Sequence, residues 1–326
     1  DDLQRFAYVT DASFYRLIPR LFVKVESEYE VIKVLHHCRS LGLALTFRAA
    51  GTSLSGQAIS DSVLVILGSH WRNIRIEDEG AVLAAQPAVV GAHANAYLAP
   101  YGRKIGPDPA SINAAQIGGI AANNASGMCC GTAQNSYRTL AGLRIVLLDG
   151  TVLDTNDDHS RKRFERSHAK MLQQLTDLRA SIIARPILAE RIAAKYKMKN
   201  TTGYSLNALL DFEDPIDILA HLLIGSEGTL AFLSEVRYFT VPDYQHKASA
   251  LIFFHNIFDA CRAINILKQQ PVEAAELLDS AALHSVAGKE GMPAILSQLP
   301  DGAAALLVET RAEVNTGLES QITAIT

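Results

Sequence analysis

The chain has 326 residues, 48% hydrophobic and 20% charged, which is enough apolar material for about two to three packed domains. A net charge of −4 with acids and bases interspersed leaves no cationic stripe for nucleic acid, and no apolar run reaches membrane-spanning length. The cysteines Cys38, Cys129, Cys130 and Cys261 form no Cys-x-x-Cys pair and no metal-ligand spacing, so neither a disulfide framework nor a metal centre is written here, and a reducing, cytoplasmic setting is expected.

In chain order, Leu21-Phe22-Val23-Lys24-Val25 predicts a strand. Ser27 and Glu30 then stand in a capping-box relation, opening an amphipathic helix through Val31, Val34, Leu35, Cys38 and Leu41 that Gly42 stops. Residues 43–47 and 62–67 both predict buried strands, with Arg48-Ala49-Ala50-Gly51-Thr52-Ser53-Leu54-Ser55-Gly56-Gln57 between them. So small a set of side chains has little to pack. Its backbone can approach a ligand closely and turn successive N–H groups toward an anion such as a diphosphate, although a plain turn also fits the composition. Residues 21–67 read as strand, helix, strand, loop, strand, with the loop at the carboxyl end of a strand, where layered α/β units hold ligands. Residues 74–76 and 81–83 flank Glu77-Asp78-Glu79-Gly80 as a hairpin, and 89–98 suits a short helix.

From Gly106 to Gly142 glycine, proline and asparagine interrupt every long apolar period. Residues 142–148 and 151–153 then predict strands joined by an Asp149-Gly150 turn, followed by a helix over roughly 168–185 and another opened by Pro186. Residues 232–241 return to strand. Pro242-Asp243 reads as a boundary, because the pattern restarts as strand (248–254), helix (258–268), strand (272–278), short helices and strand (304–309). These elements are too few to close an α+β layer. Residues 243–326 are therefore expected to be the first part of a longer domain, and the chain a fragment. It opens with no basic-then-apolar leader, which argues against secretion.

Three further clusters of small and polar residues follow the first. They are Gly106-Pro107-Asp108-Pro109 with residues 117–127, Gly225-Ser226-Glu227-Gly228-Thr229-Leu230, and Lys199-Asn200-Thr201-Thr202-Gly203-Tyr204-Ser205. Each has a plainer reading: tight strand–helix packing on Gly118 and Gly119, a helix C-cap on Gly225, and a loop at 199–205. A nucleotide-hydrolysing P-loop becomes a minor alternative, because Gly56 is followed by Gln57 and the loop holds no lysine. No Gly-x-Gly-x-x-Gly opens a helix after a strand, so a diphosphate would be held by a fold other than the dinucleotide-binding one.

In order and spacing these clusters resemble the PCMH-type FAD-binding domain of the vanillyl-alcohol-oxidase-like, FAD-linked oxidases, the group that includes D-lactate dehydrogenases and the glycolate oxidase D subunit. Residues 8–20, Met128-Cys129-Cys130-Gly131-Thr132, Asn135-Ser136-Tyr137 and Glu276-Leu277-Leu278-Asp279 look closest to large D-lactate dehydrogenase-like members that also carry C-terminal iron–sulfur modules. The resemblance implies an α+β fold built of α/β subdomains. Residues 1–242 would form a two-subdomain FAD-binding domain, and residues 243–326 an incomplete α+β cap for substrate.

It further implies non-covalent FAD, since Thr52 lies where some relatives attach flavin through histidine. The diphosphate would rest on Ala49, Ala50, Gly51, Thr52 and Ser53, with Gly56 and Gln57 completing the loop and Arg48 supporting it. Asp108, Ser111, Gly118, Gly119, Asn124, Ala125 and Ser126 would line the flavin and ribityl chain, and Glu227, Gly228 and Thr229 the adenine side. Ala49-Ala50 departs from the glycines common in this loop and is tolerated if both φ values are negative. The implied reaction is oxidation of a D-2-hydroxy acid, D-lactate first, with D-2-hydroxyglutarate or glycolate as alternatives; a non-catalytic flavin module served by a partner subunit is another. The family's catalytic His and Glu-His elements would lie beyond residue 326. An iron–sulfur cluster is expected only of a longer form, and a quinone acceptor would bring the protein to the membrane periphery.

Overall fold

Runs of β-branched and aliphatic residues set the first sheet. In the computed structural model, which describes residues 2–325, a short helix α1 (Asp2–Ala7) precedes strands β1 (Leu21–Val25), β2 (Leu45–Arg48) and β3 (Val63–Leu67). The three are parallel in the order β1-β3-β2. Val63, Leu64 and Val65 are all buried, as a central parallel strand covered on both faces requires. Helix α2 (Glu28–Leu41) makes the crossover from β1 to β2. Its cap Ser27 accepts from Glu30 N, and Gly42, at φ +63°, returns its N–H to the carbonyls of Cys38 and Arg39. The capping box is displaced by one residue, because the Glu30 carboxylate accepts from Glu26 N (2.6 Å) rather than from Ser27 N.

The second sheet is antiparallel, built from β4 (Ile74–Glu77), β5 (Val82–Ala85), β7 (Leu140–Val146), β8 (Val152–Asp154) and β9 (Phe232–Pro242) in the order β4-β5-β9-β7-β8, while β6 (Arg103–Ile105) pairs with the end of β9. One apolar core joins the two sheets: Val25, Val63 and Val65 meet Val146 and Phe232, and the Phe47 and Phe232 rings lie 4.7 Å apart. Trp71 closes it, its indole N–H donating to Val25 O (3.1 Å).

A larger core lies under helices α3 (Gly91–Leu98), α4 (Ile117–Asn123), α5 (Ser136–Thr139), α6 (Asp158–Ser167), α7 (Ala169–Ile183), α8 (Pro186–Lys195), α9 (Ala208–Asp211) and α10 (Pro215–Leu223). Helix α7 matches the helix expected over 168–185, whereas α6, just before it, was not expected. Only Ser160 and Phe164 of α6 are buried, too sparse a period to read, and its start is set by Asp157, whose carboxylate accepts from His159 N and Ser160 N.

The chain divides into two units between Pro242 and Asp243. In the second, β10 (His246–Phe254), β11 (Ala274–Leu278) and β12 (Ala304–Ala312) form an antiparallel sheet in the order β10-β12-β11. Central β12 is covered on both faces. Ala304, Leu306 and Val308 pack with α11 (Ile257–Leu267) and Ile325 of α13 (Asn315–Ile325), and Ala305 packs with Leu283 of α12 (Ser280–Val286). Among the described residues no helix is long and apolar enough to cross a membrane.

Within the first unit the Ser136 hydroxyl and the Tyr238 phenol share a buried 2.8 Å hydrogen bond. Removing either partner strands the other away from water. Tyr238→Phe and Ser136→Ala should each lower unfolding free energy by about 1–3 kcal/mol in urea titrations, and the double variant by less than the sum; strict additivity would show that the bond contributes nothing.

Candidate functional site

The loop leaving β2 turns on two glycines, Gly51 at φ +75° and Gly56 at φ +79°, a region that side chains disfavour. Ala49 and Ala50 are not among the residues of positive φ, so alanine is accommodated where the resemblance favours glycine. Arg48 folds back beneath the loop. A Cβ on Gly51 would stand 2.5 Å from its Nη2, and its Nη1 donates to Thr10 O (2.7 Å) and Ala58 O (3.4 Å). The guanidinium therefore braces the cradle against residues 8–12.

Three of the small-residue clusters meet at one carboxylate. Ser53 Oγ bonds the side-chain oxygen of Gln57, and the Gln57 side chain comes near enough to Glu227 to lower its pKa. Asn123 Nδ2, at the end of α4, donates to Glu227 Oε1 at 2.6 Å. Backbone bonds repeat the link, from Gly225 N to Ala121 O (3.1 Å) and Glu227 N to Ala122 O (2.8 Å). Gly225 is not a helix cap, since α10 ends at Leu223; it makes the first of these cross-links at φ +88°. Glu227 itself takes φ +53°. On the other side of α4, a Cβ on Gly119 would lie 3.3 Å from Ala49 Cβ and one on Gly118 2.6 Å from Pro87 Cβ, so Gly119 lets α4 close on the first loop and Gly118 lets it close on Pro87.

The turn after α4 is clamped. Asn124, at φ +51°, caps the helix and accepts from Tyr137 N (3.1 Å) through Oδ1. Asp108 Oδ1 accepts from Gly127 N (3.0 Å) and Cys130 N (3.1 Å), so one of its carboxylate oxygens is committed to holding this turn. Gly127 is pressed against Asp108, and a Cβ there would meet the Asp108 carbonyl oxygen at 1.9 Å. Ala125 is half-buried, and Ser126 is 9% exposed with its Oγ unpartnered. Ser111 keeps to its own turn, its carbonyl accepting from Ala114 N and Ala115 N. Burial pushes the Cys130 thiol up to about 11, which leaves it an inert packed group at neutral pH.

The fourth cluster joins the second and third. Lys199 Nζ donates to Ser126 O (3.0 Å), and Tyr204 OH bonds Thr229 Oγ1 (2.9 Å). Gly228 and Thr229 are exposed beside it. Lys199, Tyr204 and Asn123 thus belong to the constellation although sequence reasoning gave none of them a role. The glycine and hydroxyl density of 199–205 was the available signal for the first two. Nothing local marks Asn123, whose partner is 104 residues away. His221 packs between the Phe212 and Tyr137 rings (centroids 3.8 and 5.0 Å), and burial pushes its pKa down, so it sits as a neutral packed ring.

Comparison with known proteins bears on this geometry. A family model of an FAD binding domain matches residues 19–156, and one of the C-terminal domain of FAD linked oxidases matches residues 244–326. A D-2-hydroxyglutarate dehydrogenase of Pantoea ananatis is 28% identical over 291 residues, covering 86% of this chain and 28% of that protein. The glycolate oxidase subunit GlcD of Escherichia coli is 26% identical over 243 residues, 72% of this chain and 46% of the subunit. The mitochondrial D-lactate dehydrogenase [cytochrome] 1 of Saccharomyces cerevisiae is 25% identical over 285 residues, 83% of this chain and 38% of that one. The chain therefore spans less than half the length of each of these relatives. Among solved structures, an alkyldihydroxyacetonephosphate synthase superposes on the whole chain with a TM-score of 0.66 at 13% identity, over 56% of its own length, and so shares the fold.

Burial pushes the Glu227 carboxyl upward in pKa, and Asn123 and Gln57 pull it part of the way back. A carboxyl raised in the folded state favours folding while protonated. That contribution is complete below its ordinary value near 4.5 and is lost as pH rises through the raised one. In cofactor-free protein the melting temperature of Glu227→Gln should therefore gain on that of wild type between about pH 4 and pH 7; a difference independent of pH would contradict the shift.

Proposed function

Because this chain belongs to the FAD-linked oxidases, we propose that residues 1–242 hold FAD without a covalent bond, that residues 243–326 begin the substrate-binding cap, and that the whole protein oxidises a D-2-hydroxy acid. The convergence of Gln57, Asn123 and Glu227 carries this reading. It makes one continuous wall of three segments that are otherwise too poor in side chains to find one another.

The residues fit the cofactor. Residues 48–57 expose backbone at the end of a parallel strand, with φ values at Gly51 and Gly56 that let successive N–H groups face one anion. Residues 108–126 supply a surface from which side chains have been pared away, as the close approach at Gly119 requires, together with the unpartnered Ser126 hydroxyl. Glu227, Gly228 and Thr229 close the far side. Thr52 has no nucleophilic ring nitrogen to form a flavin bond. FAD, when bound, supplies a two-electron acceptor for the hydrogen on the carbon that bears the substrate hydroxyl. What this chain would add is binding and orientation: backbone N–H groups of the loop after β2 would hold the diphosphate, and Ala125 and Ser126, on the turn clamped by Asp108, would line the flavin. The base for the substrate hydroxyl is not assigned to any residue of this chain.

D-Lactate follows from the motifs that resemble large D-lactate dehydrogenases. D-2-Hydroxyglutarate has equal standing, because several relatives bear that name. The two differ in chemistry, since a second carboxylate calls for a second cation or a fork of donors. Similarity to GlcD, a subunit by name, supports a further reading in which a partner chain contributes to turnover.

Denaturing the purified protein should release a chromophore with the mass of FAD. Gly51→Val or Gly56→Val, which forces a branched side chain into positive φ, should weaken FAD binding at least about tenfold. A chain that neither carries FAD nor takes it up on titration would overturn the reading. With the full-length protein, bleaching of the flavin by D-2-hydroxyglutarate, D-lactate or glycolate in turn identifies the substrate, and bleaching by none of them would exclude the class.

A further inference from the structure

Residues 8–17 stand ahead of the stretch matched by the FAD binding domain model, 19–156, and the cofactor reading leaves them without a task. They nevertheless grip the loop after β2 from one end to the other. Ala12 N donates to Gly51 O (2.9 Å), Ala58 N reaches Asp11 Oδ2 (3.4 Å), and Arg48 Nη1 donates to Thr10 O (2.7 Å). The Tyr15 ring covers Gly56 so closely that a Cβ there would stand 3.0 Å from its Cδ2. The segment is itself folded back, with Leu17 N donating to Val9 O (3.1 Å) and Ser13 N to Asp11 Oδ1 (2.8 Å). Its near end is fixed where Tyr8 stacks on Phe22 of β1, the ring centroids 4.7 Å apart. The loop has little of its own to hold it. Among the described residues, no backbone N–H of residues 50–54 has a protein acceptor. Such free donors suit an anion only where the loop is already held with its N–H groups turned one way. Gln57, beside Glu227, is one anchor, and residues 8–17 are the other. None of residues 8–17 is buried, so this second anchor depends on a few bonds and a ring contact, and opening it costs little.

We propose that residues 8–17 are a clasp that sets the loop after β2 in the shape that binds FAD, with Asp11 and Tyr15 as its positioning residues, and that bound FAD in turn holds the clasp shut. The proposal rests on the FAD reading above and extends the site to a segment ahead of the matched domain. Neither residue needs to touch the cofactor. Asp11 fixes both ends of the grip, accepting from Ser13 within the clasp and from Ala58 beyond the loop, and its charge lies near the Arg48 guanidinium. Tyr15 fixes the second positive-φ turn, Gly56 at +79°, while Ala12 fixes the first, Gly51 at +75°. Coupling of this kind is reciprocal: by whatever factor a closed clasp tightens FAD binding, FAD favours the closed clasp.

The experiment uses the whole chain stripped of FAD and reads binding from flavin fluorescence on titration. Tyr15→Ala and Asp11→Ala should each raise the dissociation constant for FAD by about tenfold, while Tyr15→Phe, which keeps the ring against Gly56, should restore most of the affinity. Tyr15 is exposed, so its variants should melt like wild type when free of FAD, which separates a lost clasp from a damaged fold. If Asp11→Ala does not fold, Tyr15→Ala decides. The reciprocal effect is read with trypsin, because Arg16 is exposed within the clasp and cleavage after it samples the open form. In wild type, saturating FAD should slow that cleavage about tenfold relative to cleavage after the exposed Lys289 of the second unit. The clasp is overturned, and the FAD reading stands, if both alanine variants bind FAD as tightly as wild type or if bound FAD leaves cleavage after Arg16 unchanged. A wild-type chain that takes up no FAD overturns both.

Discussion

Loops built of glycine, alanine and serine bury too little apolar surface to hold a position by packing, so they must be held by polar cross-bracing. In this protein the brace is the carboxylate of Glu227. It lies beside Gln57 of the loop after β2 and accepts from Asn123 at the end of α4, while its own N–H bonds the carbonyl of Ala122. The arrangement needs a half-buried carboxylate on a residue at positive φ. Both features are unfavourable in isolation, and the donors around Glu227 offset them.

The sheets decide where the brace can act. A three-stranded parallel sheet sends the loop after β2 outward at its carboxyl edge, and β9, paired with β5, β6 and β7, carries the opposite wall. The apolar core from Val25 to Phe232 fixes one sheet on the other. Helix α4 then lies with Ile117, Ile120 and Ala121 in the larger core and its glycines turned toward Pro87 and Ala49. Removing side chains at Gly118 and Gly119 gives up burial in exchange for the close approach of α4 to Pro87 and Ala49.

The second half of the constellation is built on the same plan but with more charge. Asp108 holds the turn at 127–130 by two N–H bonds, and Lys199 reaches the same turn from outside. Cys130 and His221, which carry reactive groups, are both packed so that burial favours their neutral forms. They serve as shape, and the chemistry is left to what the loops hold.

Much of the fold was legible in residues 21–67 and 232–309, because continuous aliphatic runs, a Ser-x-x-Glu start, an αL glycine and a proline-marked boundary are local signals with local causes. The resemblance to FAD-linked oxidases was legible too, since it rests on the order and spacing of glycine-rich segments, the first two of which fall within the residues 19–156 that the FAD binding domain model matches. Helix α6 was not, for its buried face is two residues wide. Nor were the partners of Glu227, the clamp at Asp108 or the approach of Lys199 to Ser126. Those bonds join residues 19 to 104 positions apart, or more, and a sequence records only that each is polar. By itself the sequence determined which segments form strands and helices, which are stripped of side chains and what family they resemble. Which polar groups meet across those segments was decided only in the folded state, because a hydrogen bond depends on distance and direction in space, and these follow from the packing of sheets and helices remote from the site.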